Sequence, residues 1–408
     1  MRHGLIGRTL SHSYSKAIHG FLGNDDYRLV ELRPEAVEGF LRRADFRGIN
    51  VTIPYKEIAM AHCEPDDDAR EIGCVNAIVN EGGRLRGHNT DRFGFSYMAK
   101  SAGIRFAGKK TVVLGSGGAS KTAVRVARDE GAREVAVVSR RGENNYENLE
   151  RHADCDVLVN ATPVGMFPDE TGAPVSLDAF PRLSALMDLV YNPLRTTLAL
   201  DARRRGVIVA NGLAMLAAQA LQAHRLFFGE PQSDDERTDA LIAEVMAKTE
   251  RLFSNVALIG MPGCGKTSVG EKLAGLLGMG FVDTDRAVEE TAGRKIPDLI
   301  RENGEPFFRE LERAAVARAA STRRAVIATG GGAVLLKENR DALSRNCQIV
   351  FLERDLFRLA TEGRPLSTDL RALFAQRLPI YEGLCDLRVK AGASADETAE
   401  RARRALSR

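Results

Sequence analysis

The chain has 408 residues, too many for one ordinary hydrophobic core and suited to two or three domains. Its 58 basic and 55 acidic residues leave a formal charge of +3, so no broad field of either sign would hold it on nucleic acid or on an anionic membrane. At 44% hydrophobic and 28% charged, with no apolar run of bilayer-spanning length and six cysteines without a CxxC pair, it reads as a cytoplasmic globular protein with free thiols and no cysteine metal site.

Along the chain, short β-rich runs alternate with amphipathic helical stretches: RGINVTI, KKTVVLG, REVAVVSR, CDVLVNA, NVALIG and QIVFLE. That alternation predicts an α/β protein built on parallel sheets. Two glycine-rich loops, beginning at Gly115 and Gly260, each follow an apolar strand and precede a helical pattern, which implies two nucleotide-binding units. Between them, Leu241, Ile242, Val245, Met246 and Leu252 recur at helical spacing, so a terminal helix of the first half is expected, with a short linker around Phe253 and Ser254.

The first loop, VVLGSGGAS, has the order of a dinucleotide fold, with Gly115, Ser116, Gly117, Gly118 and Ala119 able to bring backbone close to a pyrophosphate. Ser120 stands where that pattern usually has its third glycine, and a tight structural turn is the alternative. The next strand ends in Ser139, Arg140 and Arg141, without the acidic group that commonly holds a ribose 2'-hydroxyl. A guanidinium there suits a 2'-phosphate, and a solvated basic turn is the competing view.

Eight short patterns then fall in one order: GLIGRTLSHSYS, NVTIPYKE, GCVNA, GHNTDRFGF, LGSGGAS, NATPVGMFP, DLVYNP and GLAMLAAQA. Together they resemble the shikimate dehydrogenase family over nearly all of residues 1–250. The resemblance implies a substrate domain at 1–97 completed by 212–250, a Rossmann-like NADP domain at 98–211, and reduction of 3-dehydroshikimate to shikimate by NADPH. It implies Lys56 as proton donor at the developing alkoxide, with Asp91 as its partner. A solvated lysine and a helix-capping aspartate are the plainer alternatives. Ser13, Ser15, Asn50, Thr52, Asn76 and Gln219, with Tyr191 a further member, match positions that bind substrate hydroxyls and carboxylate. Thr9 and Lys16 depart from the family's usual prolines, Ala77 from a threonine, and Arg141 from another; the stretch 141–156 is shorter than in many relatives.

The second loop, Gly260-Met-Pro-Gly-Cys-Gly-Lys-Thr267, fits GxxxxGK[ST] in its required strand-to-helix setting. Backbone N–H groups of Gly263, Cys264, Gly265, Lys266, Thr267 and Ser268 are expected around the phosphates of ATP, with the Lys266 charge on the β and γ groups and Thr267 able to ligate Mg2+. Downstream, FVDTD, EPFFRELE, TGGGA, GRPL and RLPIY follow in the order of the shikimate kinases, a resemblance spanning residues 255–408 and implying a P-loop domain on a parallel sheet. It places Asp283 on the magnesium side and Asp285 at the acceptor hydroxyl as base. Arg309 and Arg377 fall on the substrate carboxylate, Gly331 and Gly332 beside the acceptor, and Arg364 on the transferring phosphoryl group. The lid around residues 360–366 is short.

Two other functions compete with this reading. A quinate-type dehydrogenase working with NAD is disfavoured by Arg140 and by the attached kinase. A non-catalytic sensor would have no use for Lys56, Asp91, Lys266, Asp285 and Arg309 together. The sequence carries no signal of oligomeric state.

Overall fold

The computed structural model describes residues 2–11, 13–359 and 370–407. The chain forms two compact units, Met1–Arg251 and Leu252–Arg408. The first holds two sheets. One comprises β1 (His3–Gly7), β2 (Tyr27–Glu31), β3 (Gly48–Val51), β4 (Glu64–Pro65), β5 (Ala77–Glu81) and β6 (Arg84–His88), in the order β2-β1-β3-β5-β6-β4. β1 and β3 run parallel with Ile6 opposite Val51, so both strands end at one edge, and the loops carrying Ser13 and Lys56 leave from it. β5 and β6 form an antiparallel hairpin that pairs Ala77 with His88, which brings Asn76, just before one strand, next to Asn89, Thr90 and Asp91, just after the other.

The second sheet contains β7 (Lys110–Leu114), β8 (Glu134–Val138), β9 (Val157–Asn160), β10 (Ala185–Asp188) and β11 (Ile208–Asn211), all parallel, in the order β11-β10-β9-β7-β8. This is the doubly wound, Rossmann-like arrangement, with the glycine loop after β7 at the point where strand order reverses. Every residue of β7 is buried, as continuous apolar strands covered on both faces should be, whereas the edge strand β8 is only partly covered. Between β8 and β9 the short stretch forms a single 3-10 turn, Leu149–His152, instead of a full crossover helix.

Helix Gly212–Phe228 returns to the first sheet, placing Ala223 and Phe227 against Leu5, Tyr27 and Ala77. It also packs on helix Asp91–Ser101, where a Cβ on Gly94 would come within 2.7 Å of the Met215 carbonyl oxygen; only glycine permits that approach. Helix Glu236–Phe253 buries Thr238, Ile242, Val245 and Thr249, while Leu241, Met246 and Leu252 flank that face half-covered. The buried threonines are tolerated because their hydroxyls are bonded, Thr249 Oγ1 donating to Val245 O at 2.7 Å. The expected linker shrinks to Ser254, since Phe253 ends this helix and Asn255 begins the next strand.

The second unit has β12 (Asn255–Ile259), β13 (Gly280–Asp283), β14 (Ala325–Ala328), β15 (Cys347–Glu353) and β16 (Leu387–Lys390), all parallel, in the order β13-β14-β12-β15-β16. Its core includes Ala257, Leu258, Ile259, Val326, Ile327 and Val350, essentially free of solvent. At about 1.5–3 kcal/mol for each fully buried aliphatic side chain, such strands set the rigidity of the loops at their ends.

Candidate active sites

In the first unit, Lys56 opens the helix Lys56–Met60 after β3, and Asp91 opens the helix after β6. Asp91 does not cap that helix; its Oδ2 faces Lys56 Nζ at 2.5 Å, and both side chains are largely shielded, 17% and 7% exposed. Asn76 Nδ2 donates to Asp91 Oδ1 at 2.9 Å and to Thr90 Oγ1 at 3.0 Å, while its Oδ1 accepts the Thr90 N–H at 2.7 Å. Gln219, from the returning helix, adds its Oε1 at 3.5 Å from Asn76 Nδ2 and 3.4 Å from Thr90 Oγ1. Lys56, Asn76, Asp91 and Gln219 therefore form one polar cluster.

The other expected residues take different positions. Asn50 is buried with both ends of its amide engaged, Oδ1 accepting from Tyr27 and Nδ2 donating to Asn76 O. Thr52 lies beside Gly7, whose hydrogen lets the threonine methyl approach. Ser13 Oγ accepts the Ser15 N–H at 3.2 Å at the start of helix Ser15–Phe21, and neither serine is hydrogen-bonded to the lysine cluster among the described residues. The Tyr191 ring packs 5.1 Å from that of Tyr14.

The glycine loop reaches this cluster directly. Gly115 has φ +104 and hydrogen-bonds β8 through its N–H, and Gly117 precedes the twelve-residue helix Gly118–Asp129. Ser116 lies in this turn and Ala119 in the first turn of the helix. Ser120, in place of the third glycine, donates its hydroxyl to Gly115 O at 2.7 Å and so ties the turn internally. A Cβ on Gly118 would stand 3.5 Å from Lys56 Cδ, so a cofactor laid on this helix start would end against the lysine. Ser139 turns the chain at the end of β8, and Arg140 and Arg141 are exposed there without an ion pair among the described residues.

The second unit gathers its groups around a cavity of about 650 Å³. Gly260, Gly263 and Gly265 all have positive φ; a Cβ on Gly260 would strike Leu352 O at 2.7 Å. Lys266 is buried, with Nζ donating to the carbonyls of Gly260 and Met261 at 2.9 and 3.0 Å, and Cys264 packs beneath the loop with its Sγ 3.8 Å from that ammonium. Thr267 Oγ1 donates to Asp283 Oδ2 at 2.7 Å, and Asp283 Oδ1 caps the following helix by accepting the N–H groups of Asp285 and Arg286. These are hard oxygen donors of the kind magnesium takes.

Across the cavity, burial, reinforced by Asp283, pushes the Asp285 carboxyl up to about 6 against the pull of Lys266. Arg309 bonds Glu305 and, at 2.8 Å, the buried Glu312. Gly332 faces the Arg309 guanidinium, where a Cβ would lie 2.7 Å from Nη1. Arg377 Nη1 donates to Gly331 O at 3.0 Å, and its buried Nε lacks a partner among the described residues. Ser268 also lines the cavity. Arg364 and the lid segment lie outside the described residues.

Comparison with known proteins finds a family match in each unit. A shikimate dehydrogenase substrate-binding domain is matched at residues 5–78 and a shikimate kinase domain at residues 262–407. The NADP(+) shikimate dehydrogenase of Halothermothrix orenii is 38% identical over 261 residues, which are 55% of this chain and 90% of the relative. The chain belongs to the shikimate dehydrogenase family. Among solved structures, shikimate dehydrogenase 1 of Peptoclostridium difficile superposes with a TM-score of 0.56 at 33% identity, covering 61% of this chain and 99% of that one. The Thermus thermophilus shikimate 5-dehydrogenase in complex with NADP(H) and shikimate gives 0.54 at 34%, covering 61% and 99%. The same chain carries, after its dehydrogenase part, a region that matches the shikimate kinase model, so the two matches together are those of a bifunctional shikimate-pathway enzyme.

The shikimate dehydrogenase half also contains polar groups that no motif had singled out. Asp188 lies opposite Asn160 in the β10–β9 register and accepts from its Nδ2 at 2.9 Å, from Val190 N and from the Thr196 hydroxyl. Burial raises this carboxyl to about 6. NATPVGMFP and DLVYNP contain Asn160 and Asp188, but only adjacency of the strand ends shows that they form a pair. In the kinase domain, Glu312 was missed although its i,i+3 spacing from Arg309 was a visible signal. No helix among the described residues is long and apolar enough to cross a membrane.

Proposed function

We propose that the first unit reduces 3-dehydroshikimate to shikimate with NADPH and that the second phosphorylates shikimate with ATP, giving shikimate 3-phosphate. The Lys56–Asp91 pair set against the glycine loop at Gly118 supports this most directly, because a hydride donor and a proton donor must meet at one carbonyl. In this reading residues 1–97 and 212–250 bind substrate, 98–211 bind the dinucleotide, and 255–408 form the kinase. Lys56 gives its proton to the ketone oxygen as negative charge develops there, and Asp91 holds the ammonium in line. Ser13, Ser15, Thr52, Asn76, Tyr191 and Gln219 surround the ring and carboxylate. Gly115 to Ala119 face the pyrophosphate, and Ser139, Arg140 and Arg141 face the adenosine 2'-phosphate.

In the kinase, Asp285 takes the acceptor hydroxyl's proton while Arg309 and Arg377 grip the carboxylate. Arg377 lines the same cavity as Arg309, and its Nε lacks a partner among the described residues, so the guanidinium keeps donor capacity for such an oxygen. Gly331 and Gly332 admit the acceptor closely, Gly263 to Ser268 cradle the phosphates, and Arg364 is expected on the transferring group. Thr267 and Asp283 would hold Mg2+, which supplies charge neutralisation at the phosphates.

A coupled assay with 3-dehydroshikimate, NADPH and ATP tests the whole reading: NADPH oxidation and ADP release should both require the ketone, and ADP release without NADPH should require added shikimate. Failure of either dependence removes the corresponding half. Replacing the exposed Arg140 tests the cofactor. Arg140→Ala should raise the NADPH KM about tenfold or more, the worth of a charged hydrogen bond, with little change for NADH. Equal use of both dinucleotides by the unmodified enzyme would count against the assignment.

A further inference from the structure

Tyr27 lies on β2, outside every motif of the site, yet its hydroxyl begins a line of hydrogen bonds that crosses residue Asn76 from backbone carbonyl to side-chain amide and ends on Lys56. Tyr27 donates to Asn50 Oδ1 at 2.7 Å, and Asn50 Nδ2 donates to Asn76 O at 3.2 Å. Asn76 Nδ2 donates to Asp91 Oδ1 at 2.9 Å, and Asp91 Oδ2 takes the Lys56 ammonium at 2.5 Å. We propose that Tyr27 and Asn50 are positioning residues of the dehydrogenase, which fix the Asp91 carboxylate and, through it, the direction of the Lys56 ammonium.

Each link has only one workable orientation. Flipping the Asn50 amide would set its oxygen against the Asn76 carbonyl, which also accepts the Val51 N–H at 2.8 Å. The Asn76 amide is locked because its Oδ1 accepts from Thr90 N, leaving Nδ2 for the carboxylate. Tyr27 itself cannot swing: its ring stacks on His19 with centroids 3.9 Å apart and planes 9° from parallel, and the residue is 1% exposed. Burial also raises the phenol's pKa well above its ordinary value, so the hydroxyl keeps its proton to donate.

Packing alone does not call for the oxygen. Leu5, Ala77, Ala223 and Phe227 around this ring would accept phenylalanine equally well, and a buried hydroxyl is costly unless bonded. The relay gives Asn50 a role besides any contact with substrate, since each end of its amide already makes one bond inside the protein.

The inference rests on Lys56 being the proton donor, and the test separates the two. In the full chain, Tyr27→Phe removes one oxygen and keeps the ring. The kcat of ketone reduction should fall about tenfold, as misplacement of a reacting group by a fraction of an ångström does. The deuterium isotope effect on kcat with [4-2H]NADPH should rise as chemistry becomes limiting. The NADPH KM and the kinase turnover should stay as they were. A structural role alone would lower the melting temperature and leave kcat per folded molecule and the isotope effect unchanged, and that result would overturn the relay. Asn50→Ser, which shortens the relay without adding bulk, is measured alongside in case Tyr27→Phe folds poorly, and wild-type kcat there is equally fatal. Should Lys56→Ala be inactive while Tyr27→Phe and Asn50→Ser are normal, the relay fails and the donor stands; an active Lys56→Ala removes the donor itself.

Discussion

Lys266→Ala is expected to lower shikimate phosphorylation at least a thousandfold, about 4 kcal/mol of barrier, while 3-dehydroshikimate is still reduced at the unmodified rate. The reason lies in how the ammonium is stored. It is buried under the loop and bonded to two loop carbonyls, Gly260 O and Met261 O, so it is preorganised at the place where the phosphate chain would lie and needs little rearrangement to meet it. A fixed positive charge in a site shielded from water acts far more strongly on developing phosphoryl charge than one in solvent. Removing it also deprives those carbonyls of their donor, so ATP binding should weaken together with turnover. Reduction should be untouched because Lys56 and its partners belong to the other compact unit. The check is ADP release with shikimate beside NADPH oxidation with 3-dehydroshikimate on the same preparation. Loss of both activities in a folded protein would mean that the units do not act independently.

Lys56→Ala should lower the kcat of ketone reduction about a hundredfold or more, near 3 kcal/mol, and leave kinase turnover intact. The expected loss exceeds that of an ordinary surface ion pair because Asp91 is buried and its second oxygen is already held by Asn76. The variant leaves this carboxylate without its cation, so the first unit should also melt at a lower temperature, and kcat must be taken per folded molecule. Reduction at the unmodified rate would show that the proton comes from another group.

Much of the architecture was legible because its signals are local. Apolar runs such as VVL in β7 signal a buried strand, and GMPGCGKT needs positive φ at Gly260, Gly263 and Gly265, which the backbone adopts. At Ser120 the sequence departs from the third glycine of the dinucleotide pattern. In three dimensions its hydroxyl closes the turn on Gly115 O, a bond that spacing alone does not reveal. Asp91 and Asp283 illustrate the opposite limit: both could cap a helix by sequence, but only Asp283 does, because Asp91 has a buried ammonium within reach.

What the sequence determined by itself is the set of short, contiguous devices: the two glycine loops, the strand and helix periods, and the identity of the chemical groups. Their conformations depend on a handful of neighbouring residues, so they survive without knowledge of the rest. Which groups meet was decided by the tertiary structure. Lys56 and Asp91 are 35 residues apart and Asn76 and Gln219 are 143 apart, and their contacts exist only because β3, the β5–β6 hairpin and the returning helix bury their apolar faces together. The same packing gives Asn50, whose type fits substrate binding, two partners inside the protein, Tyr27 and Asn76. A buried polar group takes the partner that packing brings within reach, because leaving it unbonded costs more than any single hydrogen bond returns.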